Sequence, residues 1–129
     1  MIGWRARLGF LVPPGNPTVE PEMMTLAPDG VSLHFHRMVA SGEPGAPDGQ
    51  TERETPERAY RLARMVDAVE AEAVFLTGTG MPTLPVLEML EQDLGKPVIS
   101  SASAMMWHAL RLAGVRQPIP GYGRLLTMA

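Results

Sequence analysis

Short apolar runs recur along this chain, and each gives way to a turn and then to a stretch with helical spacing. The runs are Leu8 to Val12, Val31 to Met38, Ala73 to Leu76 and Pro97 to Ile99. This alternation limits the fold more than any other feature, because a strand that returns to a parallel neighbour needs a right-handed crossover, normally a helix. The expected order is strand, helix, four times over. At 129 residues the chain suits one compact domain, 1–129, that buries about two-thirds of the surface of its unfolded form.

The runs differ in character. Leu8 to Val12 is continuously apolar and ends at Pro13-Pro14-Gly15, as in a central strand covered on both faces. Val31, Leu33 and Phe35 alternate with Ser32, His34 and His36, the period-two pattern of an edge strand with one wetter face. Ala73 to Leu76 is short and reads as buried. Helices are expected from about Thr18 to Leu26, from a start between Thr51 and Glu57 through Val69, from Pro82-Thr83 to Leu94, and from about Ala104 to Ala113. Their start signals are Asn16 or Thr18, a Thr51/Glu54 capping box or Thr55-Pro56, and Ser100 to Ser103. Gly95 and Gly114 supply stops. Gly42, Pro44, Gly45, Pro47 and Gly49 make the segment 41–50 a flexible surface loop, and the tail from Pro118 to Met128 reads as coil or a short strand. Together these elements predict a single flavodoxin-like α/β domain with a four-stranded parallel sheet, order 2-1-3-4, and helices on both faces.

Composition removes several functions. A formal charge of -3 offers no field for nucleic acid or anionic membrane, and no run approaches a membrane span. Absence of cysteine excludes disulfides, thiolate metal sites and thiol catalysis, and fits a cytoplasmic location. His34 and His36 lack a third metal ligand and read as exposed edge residues, and His108 as a helix boundary residue, so neither a metal nor a cofactor is expected.

In an open parallel sheet, ligands bind beyond the carboxyl ends of the strands where strand order reverses. The loops meeting there would be Pro14-Gly15-Asn16-Pro17-Thr18, Gly78-Thr79-Gly80 and Ser100-Ser101. Each leads into a helix, whose free N–H groups and dipole favour an anion. One such loop would be ordinary capping; three point to a small carboxylate. Phosphate is disfavoured because there is no phosphate-binding P-loop, and the Gly78/Gly80 pair lacks the third glycine and acidic residue of a dinucleotide site.

At these loops the chain resembles the aspartate/glutamate racemase superfamily, in the branch holding maleate cis-trans isomerase and arylmalonate decarboxylase. Arg7 to Glu20, with Val12-Pro13-Pro14-Gly15-Asn16-Pro17-Thr18-Val19-Glu20, is similar to that branch's V-P-x-x-N-x-T-x-E. Val74 to Thr83, Leu94 to Ser101, Trp107 to Gly114 and the tail Pro118 to Leu126 resemble the closing third of the same enzymes. The resemblance implies a two-lobed ancestor of which this chain is a hybrid lobe, the start of the first joined to the end of the second. It places Gly78 where the family keeps a catalytic cysteine, and makes Asn16, Thr79 and Ser101 carboxylate donors with Pro14 and Gly15 shaping the pocket. The implied function is racemase, isomerase or decarboxylase-like binding of a small mono- or dicarboxylate, with the usual proton carrier missing and Glu20, or a histidine of a second subunit, as substitutes. The alternative is a non-catalytic lobe that binds or self-associates as a homodimer or larger homo-oligomer through the seam of the missing lobe. A flavin or nucleotide domain is the third reading, supported by the inferred sheet alone.

Overall fold

The computed structural model describes residues 2–13, 15–37 and 55–128. The expected loop 41–50, the Thr51/Glu54 capping box and Pro14 lie outside the described residues. The element order is β1 (Ala6–Val12), α1 (Val19–Leu26), β2 (Val31–Arg37), α2 (Pro56–Val66), β3 (Val74–Leu76), α3 (Leu84–Leu94), β4 (Val98–Ser100) and α4 (Ser101–Leu112). A short 3-10 turn, Leu125–Thr127, stands in the tail where coil or a strand was expected.

β1 pairs in parallel with β2 from Ala6 opposite Val31 to Val12 opposite Arg37, and β3 pairs in parallel with β4 from Val74 opposite Val98 to Leu76 opposite Ser100. The expected neighbours 2-1 and 3-4 are thus present, but as two two-stranded sheets rather than one sheet of four. The physical reason lies in β3. It has three residues, so it offers few backbone groups to a second neighbour, and the left-handed turn at Gly78 (φ 84°) follows directly. Side chains of the β1–α1 and β3–α3 turns make the link instead.

The core runs through both sheets. Leu8 and Val12 from β1, Val74 from β3 and Val98 from β4 meet Met23 and Leu26 of α1, Leu87 and Leu90 of α3 and Met106 and Leu110 of α4. Phe10 and Phe35 stack with centroids 5.4 Å apart across the β1–β2 pair. Among the described residues, cover on both faces, expected for β1 and β3, is not found. Gly9 is exposed, Leu11 is 72% exposed and Phe75 57%, so alternate positions of each strand face outward.

α2 is shorter than its apolar spacing implied: it stops at Val66, and Val69 is 97% exposed. Its start matches the Thr55-Pro56 signal, because the Thr55 hydroxyl accepts from Arg58 N–H. α4 begins at Ser101, earlier than Ala104, because Ser100 and Ser103 form a reciprocal capping box. Gly95, left-handed at φ 68°, closes α3 with its N–H on the Glu91 carbonyl.

Candidate functional site

Two of the three expected loops come together. Asn16 is 7% exposed, and its Nδ2 donates to Thr79 Oγ1 at 2.9 Å. The Thr18 hydroxyl donates to the carbonyl of Gly80 at 2.9 Å. Asn16 also organises its own turn, since Oδ1 accepts from the N–H groups of Thr18 (3.0 Å) and Val19 (3.2 Å). It therefore caps α1 in place of Thr18, whose side chain makes no cap bond. One amide thus fixes a helix start and ties β1–α1 to β3–α3.

Gly15 and Gly78 are exposed beside this junction. A Cβ built on Gly78 would meet no atom within 4 Å, so there is space where the resemblance puts a thiol. The backbone there is left-handed, which favours glycine.

Ser100 and Ser101 belong to a different local arrangement. Ser100 is fully buried and occupied: its Oγ accepts from Ser103 N–H at 3.2 Å, and its own N–H donates to Ser103 Oγ at 3.0 Å. Ser101 is the first residue of α4 and half-buried. Among the described residues no hydrogen bond joins either serine to Asn16 or Thr79. The third loop supports a helix; it is not tied to the other two.

Two charged residues that the sequence reading did not place at the site stand beside it. Arg37, at the carboxyl end of β2, donates from Nη1 to the carbonyls of Pro13 (2.9 Å) and Asn16 (3.1 Å), and its Nη2 pairs with Glu20 Oε1 at 2.5 Å. Glu20, the expected substitute base, is therefore held in an ion pair. The clue to Arg37 was its place, since it ends an edge strand on the side where strand ends meet the crevice. Glu22 of α1 is 7% exposed; its Oε2 accepts from Leu84 N–H at 3.2 Å at the start of α3, while Oε1 has no hydrogen-bond partner. Burial pushes its carboxyl up to about 7, against the pull of the Leu84 and Thr83 N–H groups. Nothing in the sequence marks Glu22 as buried, two residues after Glu20 in the first turn of α1.

A cavity of about 340 Å³ opens at Gly15, Asn16, Pro17 and Arg37, and a second of about 530 Å³, which shares Pro17 in its lining, is walled by Thr18, Pro21, Glu22, Pro82 and Tyr122 among others. Among the described residues, no group of three or more His, Asp or Glu side chains could hold a metal ion, and no helix is long and apolar enough to cross a membrane. His34 and His36 are exposed on β2, with His34 Nε2 3.0 Å from Ser32 Oγ.

A family model of arylmalonate decarboxylase matches residues 51–126. The chain belongs to that family. It is 42% identical over 59 residues to the arylmalonate decarboxylase of Bordetella bronchiseptica, an alignment covering 45% of this chain and 25% of that one. It is 37% identical over 71 residues to the maleate isomerase of Nocardia farcinica, covering 54% and 28%. In structure it is similar to the Nocardia farcinica maleate cis-trans isomerase bound to TRIS, with a TM-score of 0.57, 27% identity, and coverage of 94% of this chain and 48% of that one. A cysteine-to-serine variant of the same isomerase carries a covalently bound succinylcysteine intermediate. The chain therefore lies in the maleate isomerase and arylmalonate decarboxylase branch, lacks any cysteine, and spans about half or less of the length of these relatives.

Proposed function

We propose that this chain binds a small mono- or dicarboxylate where the β1–α1 and β3–α3 turns meet, and that it does so without the thiol chemistry of its relatives. The observation that carries this reading is the Asn16–Thr79 hydrogen bond beside the open space at Gly78. It brings an amide and a hydroxyl together beside the position where the resemblance puts a thiol. Asn16 Nδ2 has a second hydrogen to offer an anion, and Thr79 Oγ1, which accepts from Asn16, has its own proton to donate. Gly15 and Gly80 let a ligand approach the backbone closely. Ser100 and Ser101 contribute through the start of α4 as a more remote part of the same reading. Location in the cytoplasm and a single continuous unit over 1–129 belong with it, as does the arrangement of the two sheets as one interrupted sheet of order 2-1-3-4.

The test is nuclear magnetic resonance titration of the full chain with malonate, maleate and aspartate, alongside proton exchange at their acidic carbons in deuterated water. Binding shifts are expected at Asn16, Gly78 and Thr79, with exchange no faster than in buffer. Gly78→Cys is then expected to fold, at a cost of about 1–2 kcal/mol for a side chain at positive φ, and to gain measurable exchange. Absence of shifts with every carboxylate would remove the reading.

A second reading, a lobe that pairs with its own copy, is favoured by the outward-facing apolar positions Leu11 and Phe75. It is compatible with the first.

A further inference from the structure

Arg37 occupies the last register position of β2, opposite Val12, where the β1–α1 turn leaves the sheet. A guanidinium offers five N–H donors in a rigid plane. The carbonyls of Pro13 and Asn16 and the carboxylate of Glu20 account for three of them. The head group is thus anchored on its backbone side with donors still to give. It forms one wall of the cavity lined by Gly15, Asn16 and Pro17, and it is the charged member of that lining.

We propose that Arg37 is a specificity-determining residue that takes the second carboxylate of a dicarboxylate whose first is held at the Asn16–Thr79 junction. This rests on the carboxylate reading above and assigns the ligand's second charge. The planar fork matches a carboxylate in two parallel hydrogen bonds, and the two carbonyl contacts fix its orientation before any ligand arrives, which lowers the ordering cost of binding. Glu20 is the built-in competitor. Its carboxylate already lies 2.5 Å from Nη2, so an incoming carboxylate either shares the fork or displaces Glu20. The site therefore favours ligands that bring enough charge to compete, and a monocarboxylate has nothing to place there.

The experiment is titration calorimetry of the full chain with succinate and with butyrate, which share a four-carbon skeleton and differ in one carboxylate. The wild type is expected to prefer succinate. Arg37→Gln is expected to weaken succinate about ten-fold or more and butyrate by a distinctly smaller factor, as loss of a charge-assisted pair predicts. Glu20→Gln, which frees the fork, is expected to tighten succinate several-fold. Arg37→Lys, keeping the charge but not the fork, is expected to fall between wild type and Arg37→Gln. If Arg37→Gln weakens both ligands equally, the guanidinium only braces the loop and the proposal is overturned. The same holds if the wild type binds both ligands alike, though the carboxylate reading survives that result. If the wild type binds neither, both fall together.

Discussion

Among single residues, Glu22 carries the clearest pH consequence. It lends its carboxylate to the first turn of α3 from a neighbouring helix, yet burial raises its pKa from 4.5 to about 7. A raised carboxyl pKa means that the native state holds its proton more tightly than the unfolded chain does. Stability from this group is therefore complete below about 4.5, declines as pH rises, and is fully lost above about 7. The groups around it do not reverse that sign: the buried side of α4 is Ala102, Ser103, Met106 and Leu110, the first turn of α3 has no acidic residue, Tyr122 is a cavity wall, and Glu20 is paired with Arg37. Glu22→Gln keeps an acceptor for Leu84 N–H and removes the titration. The melting temperature of wild type minus that of Glu22→Gln should fall as pH is raised from about 4.5 to beyond about 7. A difference that stays flat over that range would show that Glu22 does not titrate on folding.

At the scale of elements, the helix starts show what a sequence can and cannot reveal. Ser100 was readable as a cap because Ser103 follows at the spacing that lets each side chain reach the other's backbone, and the box is present. Thr83 is likewise a hydroxyl residue placed before a helix, but its hydroxyl is buried without a hydrogen-bond partner, and Glu22, distant in sequence, accepts from Leu84 N–H instead. Local spacing cannot reveal a cap supplied from another element. The same distinction separates Asn16–Thr79, legible because two strand ends were expected to converge, from Arg37, whose contacts depend on the path of the β1–α1 turn. It also explains the sheet: the pairs 2-1 and 3-4 follow from crossovers, whereas the gap between β1 and β3 depends on how few backbone groups a three-residue strand offers. Ser100→Ala should cost about 1–2 kcal/mol, because it leaves a buried N–H of Ser103 without an acceptor. Thr83→Val, which removes a hydroxyl that has no partner and keeps the shape, should be neutral or stabilising. Urea midpoints of the two variants check the contrast, and equal losses would contradict it.

For the whole molecule, the relevant fact is an outer sheet surface left exposed among the described residues. On β1 and β2 the alternate positions Gly9, Leu11, His34 and His36 lie on one face in register, Gly9 opposite His34 and Leu11 opposite His36, and all are exposed. In a parallel sheet both faces normally carry helices, since the crossovers place them there. Here Leu11 is 72% exposed beside Gly9. Such a surface is best covered by a second copy around a two-fold axis, because an isologous contact buries the same patch twice and closes without leaving a free face. Wild-type chain is accordingly expected to scatter light as a dimer. Leu11→Glu should give monomer with its helical content intact. A wild type that stays monomeric at high concentration and neutral pH would mean that this sheet face is stable in water without a second copy.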